Sequence, residues 1–372
     1  MHLETLYLLS FKNYSEANVH FSPRINVLVG KNGSGKTNLL DAIFYLAFTK
    51  SAFSSSDQQC ITQGQNFFLI KGEIRKGDSS NEISTSVQIG SKKIFRDCGI
   101  EYQKLSEHIG KYPLVLIAPD DVNLVREGSE GRRKFFDGII SQLDRQYLEN
   151  LIQYSQALKL RNGLLKMYGE RGSQIDWLAL EAYDKILAES GQLIFQRRSS
   201  FIQEFLPVFQ KYYRFLVEDI ESAGVRYWSE LSGKSFLQGL SESRQKDAAL
   251  LRTNFGIHRD DFEFILADDA LKKFGSQGQQ KSFVVGMKLA QFEILENHKG
   301  FKPILLLDDI FDKLDDFRIA RLLELIKSDF GQLFITDARP ERTTGLLKQI
   351  GVPSTIFTVD QGMVSHYEQQ EK

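Results

Sequence analysis

The stretch Gly30-Lys31-Asn32-Gly33-Ser34-Gly35-Lys36-Thr37 places glycines, a lysine and a hydroxyl at the spacing G-x-x-x-x-G-K-[ST], the pattern of a phosphate cradle. Its glycines let consecutive backbone N–H groups turn toward phosphate oxygens, and the positive end of a following helix adds to that field. Lys36, expected to stand exposed until a nucleotide arrives, would reach the terminal phosphates, and the Thr37 hydroxyl would ligate Mg²⁺. Such a loop needs acid on a second strand, to hold the cation opposite the threonine and to position an attacking water. Asp308 and Asp309 close the apolar run Ile304-Leu305-Leu306-Leu307 and supply that pair, Asp308 for the metal and Asp309 for water activation. A third group, Ser276-Gln277-Gly278-Gln279-Gln280, opens a long apolar helix. It reads equally as a serine N-cap and as an anion site built from a hydroxyl and free N–H groups.

These residues need elements to hold them. Ile25-Asn26-Val27-Leu28-Val29 has the composition of a buried parallel strand, and residues 37–48 read as an apolar helix, so the loop sits between a strand and a helix. Residues 3–10 and 17–21 have strand composition, and 50–57 form a polar loop near the nucleotide. Residues 67–74, 82–89 and 93–97 form a β-meander, and 114–118 is a short buried strand. Between 132 and 215 apolar residues recur at three- and four-residue spacing, which predicts long amphipathic helices. The stretch 126–214 holds 14 Lys or Arg against 11 Asp or Glu, with clusters at Arg132-Arg133-Lys134, Lys159/Arg161/Lys166 and Arg197-Arg198. On charge alone these are as well explained by solvated helix faces as by a nucleic-acid surface. Residues 262–266 and 271–274 flank Ala267-Asp268-Asp269-Ala270 as a hairpin. Helices at 318–328 and 341–350 then alternate with strands at 304–308, 332–336 and 355–359, which implies a parallel sheet.

Composition bounds the rest. The chain has 372 residues, 42% of them hydrophobic, and a formal net charge of −1, so a polyanionic partner must be met by a local patch. Two cysteines, Cys60 and Cys98, cannot make a disulfide framework or a zinc cluster and suit a reducing, cytoplasmic setting. No apolar run approaches the length of a membrane span, and no basic segment precedes an apolar one at the start, so neither membrane insertion nor export is expected.

With the phosphate loop, the Ser-Gln-Gly helix start and the acidic strand in this order, the chain resembles an ABC-type ATPase head, in which one subunit's signature closes on the nucleotide of another. Asp312-Lys313-Leu314-Asp315 lies where such heads carry a D-loop. The succession Leu8-Leu9-Ser10-Phe11-Lys12-Asn13-Tyr14, Ala118-Pro119-Asp120-Asp121, Arg132-Arg133-Lys134-Phe135-Phe136-Asp137, His258-Arg259-Asp260-Asp261, Gly275 to Gln280 and Leu307-Asp308-Asp309-Ile310-Phe311 closely resembles the bacterial RecF family, SMC-like ATPases with a helical domain in place of a long coiled coil. That resemblance implies an α/β head made of 1–118 and 251–372, containing a P-loop parallel sheet and an antiparallel β part, with a helical domain inserted at 119–250. It implies ATP and Mg²⁺ as cofactors, bound by Gly30, Lys31, Asn32, Gly33, Ser34, Gly35, Lys36 and Thr37 and by Ser276, Gln277 and Gly278 of a partner subunit. It also implies slow, DNA-stimulated hydrolysis, an ATP-driven homodimer on duplex or junction DNA, and work with RecO and RecR in loading RecA at gaps. Lys159, Arg161, Arg197 and Arg198 are the expected DNA contacts, made to phosphates.

The pattern departs from ABC heads at three points. No glutamine stands at the end of the 114–118 strand to serve as a Q-loop, the second acid is Asp309 in place of glutamate, and Thr336-Asp337-Ala338-Arg339 occupies the place of the switch histidine, with Asp337 a candidate. His258 sits in one of the motifs of the resemblance, but a lone histidine reads first as structural. A transporter ATPase subunit would share the three motifs but not the large helical middle, and a chromosome-structuring SMC protein would need heptads that are absent. ATP held as a clamp without turnover is the remaining alternative.

Overall fold

β1 (His2–Phe11) and β2 (Tyr14–His20) form a hairpin at the start of the chain. They are part of a computed structural model that describes residues 1–217, 221–312, 315–327 and 330–367. The chain divides into two units: Met1–Asp121, Phe215–Glu218 and Lys281–Lys372 make the first, and Val122–Arg214 and Asp219–Gln280 the second.

In the first unit, β3 (Ile25–Val29) has all five residues buried and feeds α1 (Lys36–Phe48). Strands β4 (Phe67–Lys76), β5 (Ser79–Gln88), β6 (Ile94–Asp97) and β7 (Ile100–Glu101) then fold up and down, giving an antiparallel sheet of order β2-β1-β4-β5-β6-β7. This is the expected meander, joined to the N-terminal hairpin through β1–β4 pairing. β8 (Leu114–Ile117) follows. One core serves this sheet and α1 together: Leu39, Ile43 and Leu46 of the helix lie in the same apolar cluster as Leu6, Phe68, Ile70 and Phe334. Gly72 of β4 makes room for the helix, since a Cβ there would stand 2.5 Å from Leu46 Cδ1.

The second unit carries a single turn α2 (Asn123–Arg126) and then the long helices α3 (Ser129–Leu143), α4 (Arg145–Glu170) and α5 (Trp177–Leu216) that the spacing predicts. Three features differ from expectation. A strand β9 (Ala223–Trp228), without a period-2 signal, precedes α6 (Phe236–Leu250) and pairs antiparallel with β10 (Asp261–Leu266). That pairing draws 251–280 into the helical unit, so the inserted part extends to Gln280 and does not end at 250. The hairpin after β10 also closes early, on β11 (Asp269–Ala270), through Ala267 and Asp268, both at positive φ. Residues 271–274 are one helical turn, α7 (Leu271–Phe274), because their apolar residues are three apart and not two.

α8 (Gln277–Lys299) leads into β12 (Ile304–Leu307), α9 (Asp316–Lys327), β13 (Leu333–Asp337), α10 (Pro340–Ile350), β14 (Ser354–Asp360) and β15 (Met363–His366). The second sheet of the first unit has the order β15-β14-β3-β13-β12-β8, parallel except at β15. β13 thus separates the strand before the phosphate loop from the strand before the acidic pair. Among the described residues no helix is long and apolar enough to cross a membrane.

Candidate nucleotide-binding site

The loop between β3 and α1 takes its shape from its glycines. Gly33 and Gly35 have φ of 81° and 118°, conformations that cost a side chain steric strain. Gly30 is needed for a different reason: a Cβ there would lie 2.2 Å from the Val359 carbonyl oxygen on β14. Asn13, at the β1–β2 turn, holds the loop from beneath. Its Nδ2 donates to the Ser34 carbonyl at 3.0 Å and its Oδ1 accepts from Asn38 Nδ2 on α1 at 2.7 Å, while Tyr14 OH donates to the Gly35 carbonyl at 2.9 Å. Gly362 N–H, at the β14–β15 turn, also donates to the Ser34 carbonyl, at 3.1 Å. Lys31, Asn32 and Gly33 are exposed at the lip.

Lys36 is not exposed as the sequence suggests. It is 4% accessible, because its ammonium folds over the loop and donates to the Gly30 and Lys31 carbonyls at 2.8 and 3.1 Å. Those bonds hold a cation where terminal phosphates would lie. The buried Ser34 hydroxyl oxygen has no hydrogen-bond partner in the structure, an unmet polar atom in the same cradle.

On the acidic side, Thr37 Oγ1 lies 2.9 and 3.0 Å from the two carboxylate oxygens of Asp308. Thr336, at the end of the intervening β13, bridges the pair: its hydroxyl donates to Asp308 Oδ1 at 2.8 Å and accepts the Asp309 N–H at 2.8 Å. Asp309 is half-buried with φ of 44°, a left-handed turn that redirects its side chain after the buried strand. Burial pushes the Asp308 carboxyl above the usual carboxylate range, hydrogen bonds from Thr336 and Thr37 pull it back, and the adjacent Asp309 raises it again. A buried acid facing a hydroxyl offers two hard oxygen ligands, a donor set that fits Mg²⁺. Asp337, the switch candidate, is already engaged: it accepts from Arg339 N–H at 2.8 Å and from the Thr343 hydroxyl of α10. Asp41 of α1 ties the 50–57 loop to the first unit, accepting from Ser51 Oγ at 2.6 Å and Ala52 N–H at 2.7 Å and pairing with Lys12 Nζ at 2.6 Å. Thr336 and Asn13 both stand within the sequence motifs, but no spacing rule assigns either a role.

In the second unit, Ser276 and Gln279 form a reciprocal cap: Ser276 N–H donates to Gln279 Oε1 at 2.7 Å and Gln279 N–H to Ser276 Oγ at 3.2 Å. Ser276 and Gln277 are exposed and Gly278 half-buried, so the cap leaves the start of α8 open. Of the D-loop segment, Lys313 and Leu314 lie outside the described residues.

Two of the four expected DNA contacts are corrected by their burial. The Arg161 side chain has no exposure; Nε reaches Asp184 at 2.6 Å, and Nη1 reaches Asp247 at 2.7 Å and Thr253 at 2.8 Å. Arg198 is 1% exposed, grips Asp137 through Nε and Nη2, both at 2.9 Å, and reaches Asp260 at 3.0 Å. Both are internal ion-pair hubs that no phosphate can reach. Lys159 is exposed, and Arg197 is partly so, lying 3.4 Å from Asp144. The Arg132-to-Asp137 and His258-to-Asp261 motifs meet around Arg198, with Arg132 held bidentate by Asp261 at 2.8 Å. His258 is structural there: Nε2–H donates to the Thr253 carbonyl at 3.1 Å, Nδ1 accepts from Tyr154 OH at 2.7 Å, and burial pushes it down to about 4.

Residues 2–363 match the RecF/RecN/SMC N-terminal domain family. The chain is 47% identical over 360 residues to the DNA replication and repair protein RecF of Flavobacterium johnsoniae, covering 96% of this chain and all of that one. It is 44% identical to the RecF of Cytophaga hutchinsonii, covering 98% and 96%. A solved recombination mediator protein RecF with ATPrS, in the RecFOR pathway, superposes with a TM-score of 0.88 at 28% identity, covering 99% of this chain and 98% of that one. An Smc head bound to the C-winged helix domain of ScpA shares the fold, with a TM-score of 0.56 at 17% identity and coverage of 100% and 98%.

Proposed function

Because this chain belongs to the RecF family of the RecF/RecN/SMC ATPases, we propose that it is an ATP-dependent DNA-binding protein of replication and recombinational repair. The observation carrying this reading is the pairing of Thr37 with both oxygens of Asp308 across 271 residues of sequence, which makes one site from the phosphate loop and the acidic strand. Lys36 and the loop N–H groups hold the triphosphate, and Thr37 and Asp308 hold Mg²⁺. Bound there, Mg²⁺ neutralises developing phosphate charge. Thr336 keeps Asp308 turned toward Thr37 and, by accepting the Asp309 N–H, sets the backbone from which Asp309 orients a water for attack. The open start of α8 at Ser276, Gln277 and Gly278 is suited to a partner subunit's terminal phosphate, so ATP drives homodimerisation.

The dimer gathers cations onto one surface and binds duplex or junction DNA. Lys159 and Arg197 remain as phosphate contacts from the expected set, and Arg161 and Arg198 are excluded. Slow hydrolysis, cytoplasmic location and action with RecO and RecR in loading RecA complete the reading, supported by the RecFOR setting of the solved relative.

Light scattering with ATP, ADP or neither, each with and without duplex DNA, tests it. Wild type is expected to dimerise with ATP. Asp309→Asn should keep the ATP dimer while turnover falls by about 100-fold or more. Ser276→Arg should bind ATP and stay monomeric. A wild type that remains monomeric with ATP would overturn the proposal, and measurable turnover separates an ATPase from a protein that uses ATP only as a clamp.

A further inference from the structure

A cavity of about 570 Å³ opens in the first unit among the end of β4, the start of β5, the 110–112 segment and the C-terminal end of α8. No residue of Gly30–Thr37 lines it, nor do Asp308 and Asp309. Its walls bring Lys76, Lys111, His298 and Lys299 against one carboxylate, Asp97. That carboxylate is already engaged, accepting from Tyr102 OH at 2.8 Å, from Tyr112 OH at 3.2 Å and from Lys111 Nζ at 3.3 Å. Lys111 is thereby neutralised, and Lys76 and Lys299 are left without a carboxylate partner among the described residues.

The charge imbalance is physical as well as numerical. Lys76 Nζ rests 3.9 Å from the centroid of the Phe301 ring, which orders its stem without cancelling its charge. Burial and the Lys76 charge together push the Lys299 ammonium below the usual lysine range, and the Met1 amine is pushed down by the same two causes. Like charges lining one cavity repel, and an anion between them removes that cost. The cavity falls in the size range of small-ligand sites, and lysines act as point charges suited to phosphate oxygens.

We propose that this cavity is a second anion site of the chain, distinct from the phosphate loop, which takes an oligophosphate between Lys76 and Lys299. Free oligophosphate and the phosphate chain of a nucleotide share that chemistry.

The full chain, with its phosphate loop saturated by a slowly hydrolysed ATP analogue, is titrated with sodium tripolyphosphate by calorimetry. One binding event per chain is expected, weakened about tenfold or more in Lys76→Gln/Lys299→Gln. Unchanged affinity for the ATP analogue and an unchanged melting temperature in that variant show that its fold is intact. Repeating the titration with GTP assigns the source: tighter binding than tripolyphosphate points to a nucleotide, weaker binding to a free oligophosphate. No binding by wild type, or equal binding by the double variant, would overturn the site. Displacement of tripolyphosphate by a lower concentration of a tetraglutamate peptide would reassign it to an acidic protein segment and defeat the phosphate assignment.

Discussion

Asn13 shows how a residue outside every phosphate-binding motif can govern one. Its amide ties the β1–β2 turn to the Ser34 carbonyl and to Asn38, and a Cβ on Gly35 would meet its Nδ2 at 2.5 Å. Asn13→Asp keeps the shape but loses the donor and sets a carboxylate against the Ser34 carbonyl. ATP affinity is expected to fall by about tenfold, one charge-repelled hydrogen bond, with little change in unfolding temperature. Lys36→Ala, by contrast, should remove most affinity, because it deletes the cation facing the phosphates. Calorimetric titration with ATP checks both, and equal losses in the two variants would mean that Asn13 does more than position the loop.

At the scale of elements, the helices of the second unit are joined by buried charge pairs as well as by apolar packing. Arg161 links α4 to α5 and α6 through Asp184 and Asp247, and Arg198 links α5 to α3 and to the segment before β10 through Asp137 and Asp260. Removing either guanidinium leaves two carboxylates buried or nearly so without their cation, at a cost of about 3–5 kcal/mol. Urea denaturation of Arg161→Ala and Arg198→Ala is expected to show that loss. Lys159→Ala, on an exposed face, should change stability by less than about 0.5 kcal/mol. Its effect belongs in DNA binding, where one lost phosphate contact flattens the slope of log K against log salt by about 0.9. An unchanged slope would remove Lys159 from the DNA surface.

Over the whole molecule, each unit contains a histidine held neutral by desolvation, His108 fully buried in the first and His258 half-buried in the second. His108 in the first unit donates Nε2–H to the Leu46 carbonyl at 2.6 Å and has Nδ1 3.3 Å from the Tyr102 oxygen, whose proton goes to Asp97, whereas His258 in the second donates to the Thr253 carbonyl and accepts from Tyr154 OH. Burial pushes both down to about 4, against an ordinary value of 6.5. Between those values the unfolded chain binds more protons than the folded one, so stability is complete above pH 6.5 and is lost as the pH falls toward 4. The loss amounts to roughly 3 kcal/mol for each histidine at the acid end. Urea midpoints measured from pH 7 down to 4.5 should fall accordingly, and His258→Gln should flatten that dependence whatever its effect at pH 7.

Local chemistry makes much of this protein legible in its sequence. The Gly30–Thr37 spacing, the apolar strand ending in Asp308-Asp309, the meander and the α/β alternation after Pro303 are each written in contiguous residues, where periodicity and turn chemistry act. Tertiary structure alone decided which charges are available. Arg161 and Lys159 are two residues apart on α4, yet one is buried between carboxylates and the other faces solvent, because partners from α5 and α6 arrive from 23 and 86 residues away. The same holds for β9, whose strand conformation depends on pairing with β10, and for Lys36, drawn down by the carbonyls of its own loop. Thr336 became part of the site only when sheet order placed β13 between the loop and the acidic strand. Spacing along the chain specifies an element, but only packing fixes which side chain a buried polar group must answer to, since that partner comes from a distant segment.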